Sequence, residues 1–322
     1  MKKIFVCLCA VAALAACQKN QIISSAGGPA IGFENASVDK ATKSVDPSTT
    51  TETINEFAVW GYMDSRDGVV FENELVSKNG SEWTYTNTQY WMAGHTYYFA
   101  AVAPMNSANV EVDTTYANEL GLGTIKFKNV DGTEDLLYSA VAVDAPAFGE
   151  AKTVMLTFNH LLSKVKFTFK NGFITNNASV KVTNIKMTAP ATGTINLAVE
   201  NWWDNDDWKV NGTETTTLDF DDVPGVLEIT KSAASANQRL TFPAAKTATY
   251  EISFKVNLTM GDQPAMEINK TATLTGVAFN MGRSYNIKAD ITPENLGLLP
   301  IEFSVEVNDW IPENPFELTL NK

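Results

Sequence analysis

Between Val154 and Phe169 the chain reads VMLTFNHLLSKVKFTF, two runs of strict apolar alternation whose phase slips by one residue between them. Val154, Leu156 and Phe158 occupy even positions, whereas Val165, Phe167 and Phe169 occupy odd ones. Strand side chains alternate with a period of two, so no single regular strand accommodates both runs. The spacing predicts two strand segments joined by a bulge or corner near residues 160–164, with both apolar sets kept on the same core side. Without such a device a one-residue slip turns a strand inside out. Corners of that kind are typical of β-sandwiches.

The same pattern recurs along the chain. Residues 57–63, 69–75, 83–86 and 97–102 are short runs rich in aromatic and β-branched residues. The separators Asp67-Gly68, Asn79-Gly80 and Ala93-Gly94 carry turn chemistry. Further strands are predicted over 180–187, 193–199, 226–229, 239–242, 250–260, 266–274, 284–291 and 301–310, and Tyr250, Ile252, Phe254, Val256 and Leu258 alternate without a break. No helix of any length is predicted. Residues 107–122 are ambiguous and 131–139 could hold one helical turn. The stretch 142–152, with Pro146 and Gly149, reads as a hinge. The result is an all-β chain of two antiparallel β-sandwich domains in series, expected over residues 18–150 and 151–322.

A hydrophobic fraction of 44% with 19% charged residues over 322 positions supports folded domains rather than disorder. The formal net charge of −13 argues against nucleic acid as a partner, because no basic stripe exists to release counterions from a phosphate backbone. All three cysteines lie in the first 17 residues, so no disulfide framework is available to the rest. Lys2 and Lys3 precede a short apolar run, Ile4 to Ala13, with the form of a signal peptide. The run ends Leu14-Ala15-Ala16-Cys17, which resembles the lipobox of bacterial lipoproteins. Residues 1–17 are therefore expected to be removed up to Cys17, whose thiol takes the lipid, and the acyl chains hold the protein on a membrane.

Few residues suggest chemistry. The two histidines, His95 and His160, lack partners at metal-ligand spacing, and His160 reads as a packed or hydrogen-bonded structural residue. No nucleophile elbow or phosphate loop is present, so neither catalysis, metal nor cofactor is expected. Trp202, Trp203 and Trp208 flank Asp204, Asp206 and Asp207. That cluster is either a solvated loop with half-buried tryptophans or an aromatic platform for glycan. A calcium loop of the EF-hand kind is disfavoured by Lys209 where glycine is needed.

The two ends bear on assembly. Ile31 and Phe33 share one face of a short strand candidate, followed over 37–53 by a polar loop of unusual length whose only basic residues are Lys40 and Lys43. At the other end Phe316, Leu318 and Leu320 alternate with polar residues after Pro312 and Pro315. This last strand is either an edge of the second domain or a strand offered to another subunit.

Several blocks in one order resemble the fimbrillin family of lipoprotein pilins from Bacteroidales. They are the lipobox, FAVWGY at 57–62, YWMAG at 90–94 leading to YYFA at 97–100, DLLY at 135–138, L-x-F-x-H-x-L-S-K-V-x-F at 156–167 and VEVNDW at 305–310. The resemblance implies two transthyretin-like sandwiches, export as a lipoprotein to the outer membrane, and assembly with other pilin subunits into a fimbrium serving cell adhesion to a host or bacterial surface. It further implies that a protease removes the first strand and that a donor strand from a neighbour fills the opened groove. Carried onto this sequence, Ile31 and Phe33 lie in the removable strand, Lys40 or Lys43 marks the cleavage point, and Phe316, Leu318 and Leu320 form the donor. The family's cleavage point usually follows an arginine, and none precedes Arg66 here. A subunit that keeps its lipid would be an anchor, or a monomeric surface lipoprotein that binds glycan through the aromatic loop.

Overall fold

The computed structural model describes residues 28–38, 54–64, 68–105, 107–114, 121–175, 177–198, 207–220, 227–229, 233–297 and 299–309. Cys17, Lys40, Lys43, Trp202, Trp203, Phe316, Leu318 and Leu320 lie outside them. The described chain is all-β apart from one helical turn, α1 (Pro293–Leu296), capped by Thr292.

One seven-stranded sheet holds, in spatial order, β1 (Gly32–Val38), β9 (Thr153–His160), β8 (Leu137–Asp144), β5 (Thr96–Ala103), β2 (Glu56–Met63), β3 (Val69–Asn79) and β4 (Glu82–Thr84). Inward residues of β1, β2, β3, β5 and β9 converge on one core that includes Phe33, Phe57, Phe71, Phe99, Leu156 and Phe158. A second core lies between two further sheets. One is β16 (Ala234–Thr241), β10 (Ser163–Asn171), β19 (Arg283–Ile291) and β20 (Ser304–Asp309). The other is β14 (Thr215–Asp219), β11 (Ala178–Pro190), β17 (Thr249–Met260) and β18 (Met266–Thr275), with β15 (Leu227–Ile229) also pairing β11. Phe167, Phe169 and Ile287 from the first of these sheets meet Val180, Ile252 and Phe254 from the second. Facing inner surfaces of that kind make a sandwich.

Most strand pairs are antiparallel, but β1 runs parallel to β9 and β10 runs parallel to β19. Parallel neighbours need a long crossover. In each half such a pair joins strands far apart in the chain, and so draws that half closed.

A fourth sheet crosses the middle of the chain. It orders β13 (Trp208–Val210), β12 (Thr192–Ala198), β7 (Gly121–Lys128) and β6 (Val110–Asp113). Here β12, a late strand, pairs antiparallel with β7, an early one, from Thr192 opposite Lys128 to Ala198 opposite Gly121. Its side chains Ile125, Phe127, Ile195 and Trp208 meet Trp60, Val102, Tyr138, Leu162 and Phe242 in a third core. The middle strands of the seven-stranded sheet are thus covered on both faces. Phe57 and Val59 enter the first core while Ala58 and Trp60 enter the third, and this is why β2 reads as an unbroken apolar run.

Two expectations change. Val154, Leu156 and Phe158 belong to the first core and Val165, Phe167 and Phe169 to the second, so the phase slip marks passage between cores and does not return both sets to one side. Leu161 and Leu162, at the corner itself, pack in the third core. A phase-correcting bulge of the expected kind occurs instead inside β11. Its pairing with β17 shifts between Thr183 and Lys186, Asn184 has φ of 52°, and Val180, Val182, Ile185 and Met187 all stay in the second core. The second change is at 131–139, where no helical turn forms. Asn129 Oδ1 accepts from the Gly132 amide at 2.8 Å and Asp131 Oδ1 from the Thr133 amide at 3.0 Å, side-chain turns that compete with helix. Gly132 also has φ of 76°, outside the helical region.

Candidate functional site

Among the residues singled out at the N-terminal end, Ile31 and Phe33 are brought into one groove. Both are buried, at 1% and 6% exposure. Phe33 sits in a cage of four rings, with centroids 5.7 Å from Phe57, 5.7 Å from Phe71, 5.8 Å from Tyr85 and 6.1 Å from Phe99. Edge-on and tilted contacts of this type suit the ring quadrupoles. The cage is built by β2, β3 and β5 and by the segment after β4, which explains the aromatic density between residues 57 and 99.

The groove has two walls. On one side Gly32, Phe33 and Glu34 stand opposite Thr153, Val154 and Met155 of β9, and the register then shifts before Ser37 meets Thr157. Thr153 Oγ1 donates to Glu34 Oε2 at 2.7 Å. On the other side the Ile31 amide donates to the Gln89 carbonyl at 2.8 Å, and the Trp91 amide to the Pro29 carbonyl at 3.0 Å. Tyr85 Oη donates to the Ile31 carbonyl. Burial pushes that phenol above its ordinary pKa, so it remains a donor at neutral pH. Since Tyr85 follows β4 and β9 lies at the far side of the sheet order, β1 seals the gap where the rolled sheet meets itself. Removal of β1 uncovers the aromatic cage.

At the start of β1 the groove widens into an apolar cavity of about 230 Å³ lined by Pro29, Trp91, Met92, Pro146 and Phe148 among others. Gly28 passes so close that a Cβ there would lie 2.2 Å from the Trp91 carbonyl oxygen. Trp91 is itself fixed by a 2.9 Å bond from Nε1 to the Lys152 carbonyl. Sequence reasoning missed Tyr85, Gln89 and Trp91 as groove residues, because each owes its place to a partner dozens of residues away.

The glycan platform is corrected for its one described member. Trp208 is buried at 7% exposure, with its ring 5.0 Å from Phe242 and its Nε1 donating 3.0 Å to the Leu161 carbonyl. Neither face nor polar edge is left for a sugar. His160 is a structural residue: its Nδ1 lies 2.5 Å from Asp135 Oδ2, and both side chains are almost wholly buried. Among the described residues no group of His, Cys, Asp or Glu is arranged to hold a metal, and no helix is long and apolar enough to cross a membrane.

The described residues thus form an all-β fold whose first core is closed by β1. A sequence profile of the fimbrillin-like family matches residues 41–310. The chain belongs to that family, whose proteins are structural and adhesive components of the cell surface and not enzymes. A crystal structure of a fimbrial protein from Bacteroides vulgatus is similar at 15% identity and a TM-score of 0.61, over 87% of this chain and 99% of that one. A protein assigned to cell adhesion from Parabacteroides distasonis is similar at 11% identity and a TM-score of 0.50, over 90% of this chain and 99% of that one. At these identities the two structures speak for the fold. No curated protein matches in sequence.

Proposed function

We propose that this protein is a subunit of a surface fimbrium, exported as a lipoprotein on Cys17 and assembled with other pilin subunits by strand exchange. Proteolysis after Lys40 or Lys43 releases β1, and the segment Phe316 to Leu320 of a neighbouring subunit fills the vacated groove. The observation that carries this reading is the position of β1: a sheet-edge strand, parallel to β9, that plugs the first core with Ile31 and Phe33. Such a strand can leave without disturbing any internal strand pairing, yet its departure exposes apolar surface that demands a replacement.

The test uses protein taken from its own cell envelope. Intact mass and N-terminal sequencing are expected to find a mature chain beginning just after Lys40 or Lys43 in the polymer. Deletion of residues 316–322 is expected to abolish multimers while leaving a folded monomer. Multimers that persist after the deletion overturn the donor assignment, and a polymerised chain that still begins at acylated Cys17 makes this subunit a membrane-held anchor.

A further inference from the structure

The contacts that hold β1 are unevenly placed along it. Over residues 29–34 the chain is bonded on both edges: the Ile31 amide and the Pro29 carbonyl bond to Gln89 and Trp91 around the antiparallel bridge of Ala30 to Tyr90, while Gly32, Phe33 and Glu34 pair with β9. Beyond the register shift, Ser37 and Val38 are paired on the β9 edge alone. Tyr85 joins the strand to the other wall a second time. Its Oη accepts from the Gln89 amide at 3.4 Å and donates to the Ile31 carbonyl, and its ring lies 5.8 Å from that of Phe33. Just upstream, Gly28 passes the Trp91 carbonyl so closely that no side chain fits. Residues 28–34 thus sit in a clasp made by Tyr85, Gln89, Trp91 and Thr153.

All of these contacts lie on the same side of Lys40 and Lys43 as Cys17. We propose that the groove is a binding site for the cut N-terminal lipopeptide: after proteolysis the segment from Cys17 to Lys40 or Lys43 stays docked through β1, and the body of the subunit remains on the membrane until that strand leaves. The proposal rests on the lipoprotein and strand-exchange reading and separates its first step into two events, the cut and the departure of β1. A cut at either lysine removes a covalent link but none of the hydrogen bonds or ring contacts that seat Ile31 and Phe33. What the cut takes away is the effective concentration that the link supplied, of roughly millimolar order for a short flexible connection. The rate at which β1 leaves is set by the contacts themselves.

Those contacts also give the departure a direction. The stretch nearest the cut, Ser37 and Val38, is bonded on one edge and follows a break in register, so it frays first. The clasped stretch leaves last, because its release strips partners from Gln89, Trp91 and Tyr85 together and uncovers the aromatic cage. A displacing strand therefore finds its first free edge at Thr157 and Phe158 of β9, at the opposite end of β1 from the tether. Membrane release is tied in this way to completion of the exchange and not to the protease.

Membrane flotation tests the clasp. The full chain is expressed in its own cell envelope with the recognition sequence of a site-specific protease inserted between residues 44 and 45, and isolated membranes are cut to completion, as checked by mass. The expected result is that the body, residues 45–322, still floats with the membranes after the cut and leaves them slowly. Tyr85→Phe keeps the ring and removes the hydroxyl, and is expected to speed that release about tenfold. Phe33→Ala, which empties the cage, is expected to speed it by more than about a hundredfold. A body that leaves the membranes as soon as the otherwise unsubstituted chain is cut overturns the proposal and leaves strand exchange standing. A body that persists equally in all three chains is held by some other contact, which also overturns it. A chain that does not float before the cut overturns the lipid anchoring on which the proposal rests.

Discussion

Replacement of Phe33 by alanine measures how much β1 contributes to closing the first core. The ring is 6% exposed and touches four other rings with centroids between 5.7 and 6.1 Å. Truncating a buried phenylalanine in such a setting costs about 3–5 kcal/mol, the sum of lost transfer energy and the cavity left behind. The cage can relax inward only by moving Phe57, Phe71 and Phe99, each held in a central or flanking strand, so the upper part of that range applies if β1 stays docked. If β1 instead detaches, the loss is capped by its whole docking energy and the chain retains its other pairings. Urea unfolding of the unprocessed protein separates these outcomes. With a slope of about 2 kcal/mol per molar urea, a loss of 3–5 kcal/mol moves the midpoint down by about 1.5–2.5 M. Hydrogen exchange adds location: detachment speeds exchange in residues 153–158 of β9 while β17 and β19 keep their protection. A midpoint that moves by less than about 0.5 M with unchanged exchange in β9 would refute the claim that Phe33 seals the core.

Two other perturbations give independent checks. Trp208→Ala is expected to cost about 3–5 kcal/mol of stability, read as a lower urea midpoint, because it empties the third core beside Phe242 and leaves the Leu161 carbonyl without its donor; a neutral outcome places Trp208 at the surface after all. The Asp64 carboxyl is held below its ordinary range, first by the Thr96 backbone amide and then by the hydrogen bond with His95 at 2.7 Å. A carboxylate depressed in the folded state adds stability above its unfolded pKa and loses it as pH falls through the folded value. Its NMR titration midpoint is therefore expected below the ordinary aspartate value, to rise part of the way in His95→Ala while the Thr96 contact persists, and an unshifted midpoint in that variant removes His95 from the account.

The parts of the fold legible in the sequence are those where one strand face meets one core. β17 is the plainest case, with Tyr250 through Leu258 inward at every second position. Strands that serve two cores, or serve one briefly, were harder to read. β13 is three residues long and owes its burial to Phe242 and Leu161, neither of them near in sequence, so its tryptophan looked like the rim of an acidic loop. The phase slip at 160–164 was real, but two arrangements satisfy such a slip: a bulge that restores the old core, as in β11, or a corner that opens a new one. Local spacing does not distinguish them, because the choice depends on which distant strands wait on either side. Ile31 and Phe33 were legible as one apolar face, while the cage that receives Phe33 is assembled from four separate segments. The pairing of His160 with Asp135 likewise joins residues 25 apart in the sequence.

The sheet in which β12 lies on β7 has a mechanical meaning. Two halves joined only at Leu161 and Leu162 would swivel like links, but antiparallel pairing from Thr192 to Ala198, backed by Trp60, Phe127, Ile195 and Phe242, braces that joint at a second place. Relative rotation of the halves would have to shear a hydrogen-bonded ladder and open an apolar layer together. In a fimbrium assembled as proposed, each subunit would therefore act as a stiff strut, and the filament would bend at the seams between one subunit and the next.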